Sequence, residues 1–484
     1  MARVTTRGRP LPSSRRSFST SPSFSSSSPL SSTQPCVLTS LRERGLVSDV
    51  TSPDFAKVLA KAPLTGYVGV DPTAASLHVG HLVPFLTLLR LTMAGHHGIA
   101  LIGGATGSIG DPSGRNSERK VLDQQVLEDN IHALSLQLKR FFHQGQVYAG
   151  KRLHALGLEQ VPQGTITIRD NREWFQPMSA LQFLGSIGRH ARIGPMLARE
   201  SVKSRMSSSH GLSFTEFSYQ LLQAYDFYHL YQTSHCRFQL GGSDQWGNIT
   251  AGTELISKMT SPSSNSSPLK EGGGEAYGLT TPLLTTSKGE KFGKSAGNAI
   301  WLDPHLTPVF EFYQYFIRIA DDDVRSLLLR LTMLPLDEID RVMHQHHSAP
   351  EARIAQRCLA REMTELIHSE NEADRVEWMS KVLYDPMVAT TQANKLIQAF
   401  TGDDRLRRLS RSEAMGKSIQ ALLVSLNLAK SKTAARKLIQ AGGVYINGSK
   451  VTSLEQLMGP THLLQDKVSV LRTGKANNII LELI

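Results

Sequence analysis
GYVGVDPTAASLHVGHLVPF, Gly66 to Phe85, is the stretch that decides the fold. Tyr67-Val68-Gly69-Val70 is β-prone and bounded by turn formers, so it predicts a strand. The chain breaks at Asp71-Pro72-Thr73, and Leu82, Phe85, Leu86 and Leu89 then return at helical spacing. His78 and His81 flank Gly80 in the first turn of that helix. Unpaired N–H groups and the positive end of the helix dipole gather there and favour anions. Two imidazoles, with a glycine that lets a flat group approach the backbone, fit a nucleotide phosphate; two surface histidines on an ordinary βα unit are the plain alternative.

Working outward, Leu38 to Leu59 predicts short amphipathic helices broken at Ser52-Pro53. Gly98 to Gly104 reads as a buried strand, and the glycine-rich ATGSIGDPSG that follows must be a loop at its carboxyl end. Strand–helix–strand with functional loops at the carboxyl ends is doubly wound nucleotide-binding logic. Asp111 sits in that loop, as turn former or ligand, with Arg115 and Arg119 behind it. A helical region is expected next, with Asn171 and Trp174 just before it. In SFTEFSYQLLQAYDFYHLY, Ser213 and Glu216 predict a capping box. Tyr219, Gln223 and Asp226 then fall at i, i+4 and i+7, on one face. A phenol, an amide and a carboxylate in one stripe suit a ligand better than a core, because buried polar groups need partners. Arg237 to Leu240 predicts a strand that ends in GGSDQWGN, which carries Asp244 and Gln245.

Farther on, TTSKGEKFGKSAGN is a polar loop holding Lys291-Phe292-Gly293-Lys294-Ser295. It is one residue short of a P-loop, since only Glu290, Lys291 and Phe292 separate Gly289 from Gly293. Residues 260–276 are low-complexity and predict a disordered insertion. Pro308 to His368 reads as an all-helical domain, and the less periodic stretch after residue 385 as a linker. In the last seventy residues, Ser431 caps KTAARKLIQA, and Asn447-Gly448 between two β-prone runs signals a type I′ hairpin. Lys430, Lys432, Arg436, Lys437 and Lys450 cluster on that unit, a pattern suited to a polyanion.

The chain has 484 residues and a formal charge of +11, which points to a nucleic-acid partner and to more than one domain. Residues 1–35 hold five arginines, no acidic residue and a dense Ser/Pro tract, the composition of a mitochondrial transit peptide. Three scattered cysteines without a CxxC indicate neither a disulfide framework nor a zinc site. No apolar run reaches the ~18 residues of a membrane span, so no membrane role is expected.

Together, YVGVDPTAASLHVGH, GGATGSIGDPSG, FTEFSYQLLQAYDF, GGSDQWGN and KFGKS resemble the motifs of class I aminoacyl-tRNA synthetases, with HVGH and KFGKS in place of HIGH and KMSKS. The order and content resemble those of the bacterial-type tyrosyl-tRNA synthetases of mitochondria, from about residue 38 to the end. The resemblance implies a Rossmann-like, doubly wound α/β catalytic domain with a parallel sheet at 36–300, a helical anticodon-binding domain at 301–385, a linker at 386–414 and a small α+β S4-like RNA-binding domain at 415–484. It implies that Tyr67 and Asp226 bond the phenolic hydroxyl of tyrosine, that Asp111, Tyr219 and Gln223 hold its α-amino group with Asp71 close by, and that Gln245 lies near its carboxylate. Asp71, His78, Gly80, His81, Asp244, Lys291 and Lys294 would bind ATP. Thr73, His78, His81, Arg115, Arg119, Lys291 and Lys294 would stabilise the transition state and the departing pyrophosphate. Arg115 stands where the family usually has lysine, keeping the charge but not the point geometry. The implied reaction makes tyrosyl-adenylate and then charges mitochondrial tRNA(Tyr) in the matrix. ATP would come with Mg²⁺, with no tightly bound cofactor and no metal-ligating residues, and the assembly would be a homodimer. A tryptophan-specific synthetase is the nearest rival, against which the Tyr67/Asp226 pair argues. Group I intron RNA is an alternative partner, with the chain as a splicing cofactor.

Overall fold
The computed structural model describes residues 36–114, 122–155, 163–208, 211–260, 275–290, 292–295, 298–384, 392–474 and 477–484. The strand expected at Tyr67 is β2 (Thr65–Val70), after β1 (Asp49–Val50) and before β3 (His97–Ile102), β4 (Ile166–Asp170), β5 (Cys236–Gly242) and β6 (Tyr277–Thr281). They form one six-stranded sheet in the order β1-β6-β5-β2-β3-β4. β2 runs parallel to β3 and β5, β3 to β4 and β5 to β6, while the short β1 closes the edge antiparallel to β6. Because β2 lies between β3 and β5, the chain leaves it in opposite directions, and a crevice opens beyond its carboxyl end.

The helix after β2, Leu82–Met93, buries Leu82, Val83, Phe85, Leu86, Leu88 and Leu89, as a crossover clamped to the sheet must. The two histidines do not sit in its first α-turn. They form a separate 3₁₀ turn, Val79–His81, in which Gly80 N–H donates to His78 Nδ1 (3.0 Å) and His78 N–H donates to His81 Nδ1 (3.3 Å). The helix Phe214–Ser234 starts where its cap predicted, with Ser213 Oγ accepting from Glu216 N–H. The Glu216 carboxylate, however, is drawn to the buried Arg205 guanidinium at 2.6 Å, because an ion pair with no access to water outweighs a terminal backbone bond.

Two further stretches hold elements that the sequence did not announce. Between the long helix Gln124–Ala155 and Asn171 lies β4, a strand in a stretch for which no element was expected, whose ITIRD is too short and too polar to announce itself. The described part of the stretch expected as linker, 392–414, is folded. It holds the helix Ala393–Phe400, which buries Leu396 and Phe400, and a strand, Leu406–Leu409. Ala393, Leu396 and Phe400 do fall at helical spacing, but over only two turns, within a stretch otherwise without a period.

Four helices, Val309–Ile317, Asp321–Leu331, Leu336–Ser348 and Glu370–Tyr384, pack around a fifth, Ile354–Ile367, which itself packs against the long helix Gln124–Ala155. Part of the KFGKS stretch expected as loop forms a two-stranded ribbon, β7 (Lys294–Ser295) with β8 (Asn298–Ala299). The C-terminal sheet contains β9 (Leu406–Leu409), β10 (Val444–Ile446), β11 (Ser449–Lys450), β12 (Val468–Thr473) and β13 (Asn477–Leu483) in the order β11-β10-β12-β13-β9. Asn447 and Gly448 have φ of 49° and 83°, the paired left-handed residues of a type I′ turn. A core of its own, including Leu422, Leu423, Ile439, Val444 and Leu481, holds this module together.

Candidate active site
The carboxyl ends of β2, β3, β5 and β6 enclose a cavity of about 250 Å³. Its lining brings together eleven residues chosen from sequence: Tyr67, Asp71, Thr73, Gly80, His81, Asp111, Tyr219, Gln223, Asp226, Asp244 and Gln245. His78 stands beside this group, its ring stacked on His81 at 3.7 Å. Arg115, Arg119, Lys291 and the low-complexity 261–274 lie outside the described residues, and Lys294 is described as backbone only.

One end of the cavity is built around Asp226. Trp174 Nε1–H donates to its Oδ1 at 2.8 Å and Asn171 Nδ2–H to its Oδ2 at 3.1 Å. Those bonds favour the carboxylate, but burial outweighs them and pushes the carboxyl up to about 8. Tyr67 lies on the floor, 1% exposed, with its hydroxyl buried and without a partner. Burial, and then the Asp226 charge, hold its phenol well above the usual range. Gln223 Oε1 and Gln239 Oε1 are also buried and unpartnered, and both residues line the cavity. Folded proteins pair such atoms, so three orphans around one void mark a place for a polar ligand.

The carboxylates nearer the mouth are fixed by a network. Tyr219 Oη–H donates to Asp71 Oδ2 at 2.9 Å, and Thr106 Oγ1–H donates to Asp71 Oδ1 at 2.9 Å. Gly103 is glycine for a reason of space, since a Cβ there would collide with that same Asp71 Oδ1. Asp111 folds back on its own turn, accepting from Ser113 N–H at 2.9 Å, and also accepts from Gln245 Nε2–H at 2.8 Å. Gln223 Nε2–H donates to Gln245 Oε1 at 3.3 Å. Asp71 and Asp111 therefore offer negative charge to a cation such as an ammonium group, at a fixed distance from the Asp226 end.

The other wall joins the two signature motifs, more than two hundred residues apart in sequence. Val79 N–H donates to Ile300 O at 3.0 Å and Ile300 N–H to Gly293 O at 2.8 Å, so the histidine turn, β8 and the KFGKS ribbon are laced through backbone. Asp244 is exposed at the mouth, next to Gly242 and Gly114.

Sequence reasoning missed Thr106, Gln239 and Asn248, and treated Asn171 and Trp174 only as a helix boundary. Asn171 Nδ2–H also donates to Thr106 Oγ1 at 3.0 Å, so one side chain ties the Asp226 end to the Asp71 network. No local pattern signals such a residue. Asn248 Nδ2–H reaches Gln245 Oε1 at 3.2 Å, and its place inside GGSDQWGN was the one available hint.

Comparison with known proteins places the chain in a family. The family profile described as tRNA synthetases class I (W and Y) matches residues 59–385. A second, described as the tyrosine–tRNA ligase SYY-like C-terminal domain, matches residues 406–481. The chain belongs to the class I tyrosyl-tRNA synthetases. Similar synthetases include the mitochondrial tyrosine–tRNA ligase of Drosophila melanogaster, 40% identical over 90% of each chain. The mitochondrial enzyme of Saccharomyces cerevisiae is 39% identical over 92% of this chain and 89% of its own. Among solved structures, a C-terminally truncated mitochondrial tyrosyl-tRNA synthetase of Aspergillus nidulans superposes with a TM-score of 0.64 at 36% identity, covering 72% of this chain and 95% of that one. In this synthetase the C-terminal profile starts at β9, inside the stretch expected as linker. Lys430, Lys432, Arg436, Lys437 and Lys450 are all exposed in that module, away from the cavity.

Proposed function
We infer that this synthetase, in the mitochondrion, activates L-tyrosine with ATP and then charges tRNA(Tyr). The observation that carries the reading is the orphaned Tyr67 hydroxyl beside Asp226 at one end of a cavity that opens towards HVGH. A phenolic hydroxyl placed between Tyr67 and Asp226 would satisfy both, and phenylalanine would leave them unpaired. Tyrosyl-tRNA synthetases are themselves the standard instance of this rule of selection. Asp71, Asp111, Tyr219 and Gln223 would hold the ammonium end, and Gln245 would lie near the carboxylate. Asp244 would bond the ribose of ATP.

The tyrosine carboxylate then attacks the α-phosphorus. An O–P bond forms, the bond to the β-phosphate oxygen breaks, and pyrophosphate leaves. The carboxylate is already an adequate nucleophile, so the work is positioning and charge stabilisation. Gly80 would let the nucleotide approach the backbone, and Thr73, His78 and His81 would contact the phosphates. Arg115, Arg119, Lys291 and Lys294 would hold the pyrophosphate. Mg²⁺ would arrive as part of the ATP substrate. The terminal ribose hydroxyl of the tRNA next attacks the adenylate carbonyl and releases AMP. The helical region 301–385 would read the anticodon, and the five basic residues of the C-terminal module would grip the tRNA backbone.

The matrix is the compartment that residues 1–35 support. A homodimer is supported by apolar side chains left in solvent along one segment, notably Leu181 at 82%, Ile193 at 61% and Phe214 at 76% exposed. The test is amino-acid-dependent ATP–pyrophosphate exchange on protein lacking residues 1–35, followed by charging of mitochondrial tRNA. Exchange with tyrosine but not phenylalanine or tryptophan is expected, and no exchange with any of the three would refute the reading.

A further inference from the structure
The KFGKS ribbon is held from the far side by the helical domain. Gly293 N–H donates to Tyr315 Oη at 3.0 Å, and Tyr315 belongs to the helix Val309–Ile317. Its ring meets Phe292 edge-on, with centroids 5.4 Å apart at 65°. Gly293 has φ of +87°, and a Cβ added to it would lie 2.9 Å from Gly80 N. Only glycine fits between the two signature turns, and a glycine cannot hold its own position by packing. The phenolic oxygen of Tyr315 therefore fixes a backbone group that touches HVGH on its other side. A second bond from the same domain, Ser287 N–H to Asp323 Oδ1 at 2.7 Å, steadies the start of the loop.

We propose that Tyr315 is a positioning residue for tyrosine activation. It acts through the Gly293 N–H to set the distance between the KFGKS and HVGH turns, so the helical domain takes part in phosphate chemistry through one hydroxyl. The proposal rests on the reading of the cavity as a tyrosine-activating site. Tyr315 touches no cavity-lining tyrosine-binding residue, so its loss acts on the rate of activation and leaves tyrosine binding alone. Tyr315→Phe keeps the ring against Phe292 and removes only the acceptor, which preserves packing and folding.

The test is a cycle of four proteins in tyrosine-dependent ATP–pyrophosphate exchange: unsubstituted, Tyr315→Phe, Lys294→Ala and the double variant. A buried N–H left without an acceptor predicts a fall in kcat of about tenfold for Tyr315→Phe. KM for tyrosine should stay within about twofold, and thermal unfolding should barely move. Because both changes act on one ribbon, the double variant should be at most about twofold slower than Lys294→Ala alone. Unchanged kcat in Tyr315→Phe, or penalties that multiply in full in the double variant, would overturn the proposal. A raised KM for tyrosine with kcat intact would also overturn it. Absence of exchange in the unsubstituted protein is a different result, which removes the underlying reading and the proposal with it.

Discussion
Two of the buried polar clusters among the described residues are built on opposite terms. One joins the long helix Gln124–Ala155 to the helical domain. Arg152 donates to Glu362 Oε1 at 2.6 Å and to Glu365 Oε1 at 3.0 Å, and Tyr148 Oη–H donates to Glu362 Oε2 at 2.5 Å. Met333 N–H donates to Tyr148 Oη at 3.2 Å, and the Arg152 guanidinium sits 4.0 Å over the Tyr148 ring. Every buried polar side-chain atom of those four residues has a partner. The other cluster surrounds the cavity, where Tyr67 Oη, Gln223 Oε1 and Gln239 Oε1 have none. A closed network holds domains together and has nothing left to bind. An open one is stabilised only when something else supplies the missing bonds. Orphaned atoms that line a cavity can be satisfied by a ligand, whereas the closed cluster has none to satisfy.

The largest expected effect breaks the closed cluster. Arg152→Ala leaves the buried Glu362 without its cation and Glu365 with Lys151 alone, which should cost about 3–5 kcal/mol. Urea unfolding would measure it. Tyrosine affinity should stay unchanged in whatever protein remains folded, and a loss of affinity would erase the distinction between the clusters.

The next sharpens the open cluster through pH. Asp226 holds its proton in the native state up to about pH 8, whereas an unfolded aspartate releases it near 4. The folded state therefore binds the extra proton between those values. Its contribution to stability is full below pH 4 and is lost as pH rises through 8. Ligand-free Asp226→Asn should lose this slope, so that its midpoint temperature falls less than that of the unsubstituted protein between pH 5 and 8. Parallel curves would show that burial does not hold the carboxyl protonated.

The smallest effect concerns one oxygen. Tyr67→Phe removes an atom with no partner in the free protein, so stability should not fall. Discrimination of tyrosine from phenylalanine in exchange should weaken roughly five- to tenfold, the worth of one hydrogen bond. An unchanged ratio would remove Tyr67 from recognition.

The sequence was most legible where chemistry follows a period or a motif. Tyr219, Gln223 and Asp226 share a helix face by spacing alone, and all three line the cavity. β2, β3 and β5 were readable because short β-prone runs end in turn formers, Asp71-Pro72 after β2 and glycines after β3 and in β5. What stayed hidden was contact at a distance. Asn171 and Trp174 bond Asp226 from 55 and 52 residues away, and neither position carries a local signal of that duty. β4 was hidden for a different reason, because five residues of mixed polarity are too few to display a period, and the helix Ala393–Phe400 shows its period over only two turns.

Tyrosine-induced thermal stabilisation of unsubstituted protein, Asp226→Ala and Arg152→Ala tests the contrast most directly. A ligand that binds the native state raises the unfolding temperature by mass action. The account predicts that tyrosine shifts the unsubstituted protein upward. Asp226→Ala, which leaves the Trp174 and Asn171 donors unpaired, should lose the shift whatever its ligand-free midpoint, whereas Arg152→Ala should start lower and keep it. A tyrosine shift that survives in Asp226→Ala, or is lost in a folded Arg152→Ala, would contradict the account.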